Sequence, residues 1–512
     1  MEILVSLIIA IIQSILFYGK ELGVSVILFT TSVIGAIWYI LDKKKKIINK
    51  KAIIFLIPII LLSSTYFIYG STIFHFTNLI VIFGLILVMF KMATIDKCIT
   101  KYLILKSIQL PGKAIEEVEN AGNETAKALK QITKNKIPKD NLKKVITSLL
   151  VVVTVVGVVI ALLASADSIF ASIFSGFGDI ITIDIATMSE LILRIVICII
   201  VYFATFSIAL AIQKNTASDT KEMRKINTDK FTIKMLLVVL NIVYLVFCYI
   251  QITSLFTKMN APGTFNYAEY ARSGFFQLMF VSFINFALLF ISNYNNDKRD
   301  SFIKILNIIL IAFTVIIVLS SMYRMHMYET EYGFTYLRLF VYIILATELI
   351  LFVPTTMYVC NTKTNILKWG GIIVICVYVA INFANLENII VQRNLNRQNS
   401  TVETDYRYIA RIASGDSYFS LIELLKDEKV SAKDKIEIGK ALLNILADSK
   451  DMKWQEFNIS RYKLKDENLD SMVDFEEWEI KARKEEMEDL KTEKYNDDDI
   501  SSDRYNEIVN EI

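Results

Sequence analysis

The sequence predicts an all-α, polytopic integral membrane bundle of about eleven spans, with a small helical domain near its C-terminal end. Three observations predict it. The chain of 512 residues is 54% hydrophobic, with a mean hydropathy of +0.47. That is too apolar for a soluble protein of this size. The apolar residues gather in separate stretches close to the length of about 20 that a helix needs to cross a bilayer. The charge is also divided. Residues 1–389 hold 35 Lys and Arg against 23 Asp and Glu, a surplus of 12, while residues 390–512 hold 20 against 29, a deficit of 9, which together give the net +3. A basic membrane part is followed by an acidic, water-facing part.

The apolar stretches run Ile3–Tyr18, Gly23–Leu41, Ala52–Tyr69, Ile73–Phe90, Val145–Ala166, Met188–Ile212, Phe231–Phe256, Phe275–Ser292, Phe302–Tyr323, Leu337–Val359 and Trp369–Asn385. The first two are joined by Gly19–Leu22 and read as a hairpin. Met1–Tyr18 lacks a basic start and a cleavage site, so it reads as a retained span. The chain divides into an N-terminal four-helix segment (1–90), a basic loop with an amphipathic helix (91–144), a seven-span core (145–389), a helical domain (390–463) and a charged helix with an acidic end (464–512). In the basic loop, Ala114–Ile132 carries Glu116, Glu117 and Glu119 ahead of Lys127 and Lys130. Asp167–Asp184, with its apolar, Gly-containing centre, reads as re-entrant or interfacial. In the C-terminal domain, Tyr406, Ile409 and Ile412 form one apolar stripe, and Leu421, Leu424 and Leu425 a second. Ile438, Leu442, Ile445 and Leu446 form a third at the spacing of a buried helix face. Trp454, Phe457 and Tyr462 are expected to pack on that bundle.

Orientation follows the lysines and arginines. The 42–51 loop has six lysines and the 91–144 loop twelve. Loops 213–230, 293–301 and 361–368 add more on the same side. This places the N terminus and the basic loops in the cytoplasm of a plasma membrane, and an odd number of spans places the C-terminal domain outside.

No cofactor or metal is expected. Cys98, Cys198, Cys248, Cys360 and Cys376 are scattered, and His75 and His326 are the two histidines, so a structural zinc site has no ligand set. Motifs of nucleotide, metalloprotease and α/β-hydrolase chemistry are absent. No basic stripe with interleaved aromatics marks a nucleic-acid binder.

Candidate site residues concentrate in two segments read as outward loops. The first, NAPGTFNYAEYARSGFF (Asn260–Phe276), holds Tyr267, Glu269, Tyr270 and Arg272. The second, YRMHMYETEYGFTYLR (Tyr323–Arg338), holds Arg324, His326, Glu329, Glu331, Tyr332 and Arg338, with Gly333 as its turn. The arginines suit bidentate capture of an anion, or pairing with the glutamates, and His326 suits proton transfer. Inside the spans, Glu348 lies near a helix centre, where a carboxylate is costly and usually meets a partner or a water path. Glu190 and Arg194 stand at i, i+4 and are expected to pair. Asn241, Gln251, Asn285 and Asn307 read as hydrogen-bonding groups between helices.

At these residues the chain resembles a bacterial polytopic membrane family named only as a domain of unknown function. The resemblance rests on NYAEYARSGFFQL (Asn266–Leu278), YRMHMYETEYGFTYLRL (Tyr323–Leu339), NLNRQNSTVETDYRYIARIASGD (Asn394–Asp416) and WQEFNISRYK (Trp454–Lys463). It covers roughly Val145–Lys463 and implies the multi-span topology; it brings no activity. The leading functional expectation is envelope-facing ligand binding or transport dependent on Glu348, with the lipid bilayer as the certain partner. One rival is a membrane-embedded transferase or hydrolase acting on a lipid-linked or cell-wall precursor, with Glu269 or His326 as base and Arg272 or Arg324 on phosphate. Another is an accessory subunit of a membrane sensor or transporter complex, docking through the 91–144 loop or the acidic end.

Overall fold

The structure, a computed structural model, describes residues 1–95, 100–132, 185–214, 230–258, 275–294, 300–361, 364–396, 404–428, 430–450, 452–469 and 474–496. Among them the chain is helical, with no strand. Seven helices are long and apolar enough to cross a membrane. An eighth counts when two helices that meet at 61° are taken together, and two further apolar helices are shorter. The apolar stretch Val145–Ala166 and the segment Asp167–Asp184 lie outside the described residues.

The helices form two compact units. The first contains α1 (Glu2–Phe17), α2 (Val24–Lys43), a 3-10 turn (Lys50–Phe55) leading into α3 (Leu56–Ile68), α4 (His75–Thr94), α5 (Thr100–Ile132) and α6 (Ile185–Lys214). At 16 residues α1 is about 24 Å long, short of a full bilayer core. It turns at Gly19, where φ is +63° and glycine is at no disadvantage, and runs back as α2. Phe17 meets Phe29 edge-on at 5.3 Å. Helix α1 also packs on α6: the Arg194 Nε donates to Ser14 Oγ at 2.5 Å, and its guanidinium lies over the Tyr18 ring. Lys44 reaches Gln213 at 2.8 Å and pairs with Glu2. The amphipathic helix begins at Thr100, earlier than its charge pattern suggests, and runs through Pro111. It buries Leu103, Leu110, Ala114 and Ala121, and Thr125 is hydrogen-bonded to Tyr202 of α6 at 2.7 Å. That apolar face repays the hydrogen bond that proline removes.

Residues Lys453–Asn458 belong to this first unit rather than to the C-terminal bundle on which Trp454 and Phe457 were expected to pack. The Val24 N–H donates to the Phe457 carbonyl at 3.1 Å, and Asn458 Nδ2 to the Tyr66 carbonyl at 3.0 Å. Gly23 permits the approach: a Cβ there would stand 2.5 Å from the Glu456 carbonyl carbon. Trp454 and Tyr462 are themselves exposed. Hydrogen bonds of the Phe457 carbonyl and of the Glu456 and Asn458 side chains hold the segment.

The second unit contains α7 (Lys230–Lys258), α8 (Phe275–Tyr294), α9 (Ser301–Tyr332), α10 (Tyr336–Cys360), α11 (Ile366–Asn382) and α12 (Leu386–Leu395). These are followed by α13 (Tyr406–Ile412), α14 (Tyr418–Lys426), α15 (Ala432–Lys450), the single turn α16 (Ile459–Tyr462) and α17 (Phe475–Asn496). Helices α7 to α10 enclose one apolar core that includes Leu237, Leu289, Leu310, Val318, Met325, Leu345 and Phe352. A second core joins Val391 of α12 to Ile409, Tyr418, Leu421, Leu424, Ile438, Leu442 and Leu446. The three stripes of the C-terminal domain thus face inward together with α12. Gly439 on α15 sits against Phe475 and Trp478 of α17.

The bend between α11 and α12 is set by Asn385, which takes φ +44° and caps α12 through its side chain on the Asn388 N–H. Asparagine tolerates that left-handed conformation better than other chiral residues. Beyond the bend α12 is polar and packs with the C-terminal helices, so the span ends at Asn382.

The segment Tyr323–Arg338 is not a loop, as hydropathy alone suggested. Helix α9 continues through it to Tyr332. Its Met, Tyr, Glu and Arg residues are compatible with helix, and polarity marks where a helix leaves the bilayer rather than where it ends. The chain then turns at Gly333, with φ +79° and ψ 179°.

Candidate functional site

Polar side chains along α7 to α10 meet one another rather than lipid. Asn241 Nδ2 donates to the Leu306 carbonyl at 3.1 Å. Tyr244 Oη donates to Asn285 Oδ1 at 2.8 Å, and Asn285 Nδ2 to Thr314 Oγ1 at 3.0 Å. Ser292 bonds Asn307 at 2.9 Å, and Ser320 bonds Gln251 at 3.0 Å. Each such bond within a membrane bundle contributes about 0.6 kcal/mol on average. Their value here is registry, since they tie α9 to α7 and α8 at several depths.

Glu348 closes this set from α10. It is 2% exposed. Its Oε2 lies 2.7 Å from Ser282 Oγ, on the same face of α8 as Asn285 one turn on. Its Oε1 has no hydrogen-bond partner among the described residues. Ser282 Oγ also lies 2.6 Å from the Met279 carbonyl. A hydroxyl has one proton to donate, and here two acceptors compete for it. Both contacts become hydrogen bonds when Glu348 carries a proton and donates it to Ser282 Oγ while the serine donates to Met279. Phe286 and Phe352 stack at 4.7 Å one turn away on either helix.

The second signature segment is built around the α9–α10 turn. Arg324 is buried at 7% exposure and donates to Gln251 Oε1 at 3.1 Å. Arg338 lies over the Tyr328 ring at 4.4 Å and donates to the Tyr332 carbonyl at 2.8 Å and to the Gly333 carbonyl. It thereby caps the C terminus of α9, where a cation is favoured. Glu329 accepts from Tyr342 at 2.8 Å. His326 is exposed, 3.7 Å from Glu329, and Glu331 is half-buried. So Arg324 serves the bundle interior and Arg338 the helix end. Tyr267, Glu269, Tyr270 and Arg272 lie outside the described residues, as does the side chain of Glu190. Arg194 meets Ser14 and Tyr18, as described above.

The same turn receives the C-terminal domain. The Phe334 N–H donates to Asn394 Oδ1, and Asn394 Nδ2 returns a bond to the Phe334 carbonyl, both at 2.9 Å. The Tyr336 N–H donates to Tyr408 Oη at 2.9 Å. Two of the segments that carried the resemblance, 323–339 and 394–416, therefore bind each other. Residues 56–424 match DUF4153, a domain of unknown function. The chain belongs to the DUF4153 family. Comparison with curated proteins and with solved structures gave no match. The DUF4153 region includes α7 to α10, the turn and the docked helices α12 and α13, so the turn and its partners Asn394 and Tyr408 lie wholly within it.

A group that hydropathy did not single out lies where α12 meets the loop before α14. Glu387 is 1% exposed. Its carboxylate accepts from the Ser414 N–H at 2.6 Å, from Ser414 Oγ at 2.8 Å and from Ser417 Oγ at 2.5 Å. Burial pushes its carboxyl up to about 7, helped by the charge of Asp416 and opposed by these hydrogen bonds. Asp416 in turn accepts from the Ser71 N–H at 2.9 Å. In the sequence Glu387 is simply the first acid after a span.

The consequence is a pH dependence of folding. An unfolded glutamate has its ordinary pKa, 4.5, and the folded one about 7. The stabilising contribution is therefore full below about 4.5 and is lost as pH rises through about 7. Its size is at most about 3 kcal/mol. Thermal unfolding of purified protein at pH 5 and pH 8 should show the wild type losing stability relative to Glu387→Gln across that interval. Equal pH slopes for the two proteins would refute the assignment.

Proposed function

We propose that this DUF4153 protein is a proton-coupled transporter of a small solute in a bacterial plasma membrane, with Glu348 as the carboxyl that takes up and releases the proton. One observation carries the reading: Glu348 is enclosed by a membrane bundle, and among the described residues its carboxyl meets Ser282, which has a second acceptor to serve, while its other oxygen meets no hydrogen-bond partner. Intramembrane carboxyls with incomplete pairing mark ion and proton paths. The basic loops support a cytoplasmic N terminus, with the α9–α10 turn and the C-terminal domain that it binds on the opposite, envelope side. In this reading the docked domain supports the outer mouth of the bundle.

The test is chemical labelling of the protein in lipid. A hydrophobic carbodiimide attacks protonated carboxyls in apolar surroundings and forms a stable acylurea that mass spectrometry locates. The expected product is at Glu348, decreasing as pH rises and absent in Glu348→Gln. No modification of Glu348 at any pH between 5 and 9, while other carboxyls react, would end the proposal.

A further inference from the structure

On the C-terminal domain, α13 and α15 border a groove of about 760 Å³. That is the size of a small-molecule site. Ala410, Ala413 and Ala441 are among the residues that line it, and their small side chains take up little of its volume. Arg407 and Arg411, one helical turn apart, line the α13 side; Lys440 and Asn444, also one turn apart, line the α15 side. Among the described residues of this unit other arginines are occupied: Arg324 on Gln251, Arg338 on two carbonyls, Arg393 over the Phe334 ring and Arg461 on the Asp448 carbonyl. Arg407, Arg411 and Lys440 make no hydrogen bond or ion pair among the described residues. Like charges at i, i+4 repel, so the pair on α13 gains nothing from its own fold.

The carboxylates of the groove define what fits. Glu437 and Asp448 lie on α15 on either side of Lys440 and Asn444. They are eleven residues apart, about 16 Å along the helix. The lining thus carries three cations against two carboxylates. A long polyanion meets repulsion at both ends. A compact group with two negative charges is smaller than that separation, and the lining offers it three cations and an amide. Planar guanidinium forks match phosphate oxygens two at a time.

We propose that this groove binds a phosphate monoester, carried either by a soluble molecule or by a lipid headgroup. The site is independent of Glu348 and of the transport reading.

Calorimetry on the full-length protein in detergent tests it. The probes are glycerol phosphate, short-chain phosphatidic acid below its micelle concentration, and poly-glutamate as the polyanion. Saturable binding of either phosphate probe is expected, weakened roughly tenfold or more by Arg407→Gln or Arg411→Gln. Arg411→Lys should fall between these and the wild type, since it keeps the charge and loses the fork. Preference for glycerol phosphate identifies a soluble ligand, and preference for phosphatidic acid a headgroup. Melting of each variant, with no ligand, is expected to match the wild type. Three outcomes would overturn the proposal: no binding of either phosphate probe, binding unaffected by the double variant Arg407→Gln/Arg411→Gln, or poly-glutamate bound more tightly than both.

Discussion

Glu348→Gln protein, reconstituted into liposomes, is expected to lose proton-driven solute flux entirely while melting at the wild-type temperature. Glutamine keeps the volume of the buried side chain and an N–H that can donate to Ser282 Oγ. It cannot take up or release a proton. Glu348→Leu extends the argument: replacing a buried ionisable group by an apolar one of similar size is often neutral or stabilising, and Leu345 and Phe352, one turn to either side of Glu348 on α10, belong to the apolar core. Both variants therefore separate function from folding. Glu348→Asp withdraws the carboxyl by one methylene and breaks the 2.7 Å contact with Ser282, so partial flux is expected. The measurement is acidification of a trapped pH-sensitive dye when candidate solutes are supplied on one side. Undiminished flux in Glu348→Gln would overturn the proposed coupling role of Glu348.

The largest stability effect is expected at Gly333. Its φ of +79° and ψ of 179° lie in a region open to glycine alone. An alanine there costs about 1–3 kcal/mol in strain, before any loss of contacts. Those contacts are dense. The Gly333 N–H closes the end of α9 on the Glu329 carbonyl at 2.7 Å. Its carbonyl is gripped by Arg338, and the next residue is doubly bonded to Asn394. Gly333→Ala should lower the melting temperature by several degrees, at about 2–4 °C per kcal/mol for a unit of this size. It should also expose the C-terminal domain to protease. Gly371→Ala is the control: it lies within α11 with nothing within 4 Å of an added Cβ, and helix propensity alone favours alanine there by up to about 1 kcal/mol. If the two substitutions behave alike, the turn does not hold the domain.

Much of this architecture was legible along the chain. Hydropathy over about 20 residues is a local property, and ten of the apolar stretches it marks are helices here, seven of them long enough to span and an eighth with its bent continuation. The inward faces of α14 and α15 follow from the spacing of Leu421, Leu424 and Leu425 and of Ile438, Leu442, Ile445 and Leu446, all buried. The depth of Glu348 and the bonding role of Asn241, Gln251, Asn285 and Asn307 could be read in the same way, because a polar group among apolar ones must find a partner.

What the chain alone left undecided was which partner. Ser282 and Glu348 are 66 residues apart, Phe334 and Asn394 60, and Gln251 and Arg324 73. Periodicity assigns a side chain to a face of its own helix; it says nothing of which helix that face meets. So Arg324, grouped by proximity with His326 as a ligand for an anion, turns to the bundle interior two residues before His326 faces out. Tyr323–Tyr332, polar enough to pass for a loop, extends α9 because its backbone bonds are satisfied locally whatever its side chains face. The sequence determined the helices and the burial demands of each. Tertiary structure decided the pairs, because a buried donor, acceptor or charge is satisfied by whatever packing brings within about 3 Å, not by its neighbours in the chain.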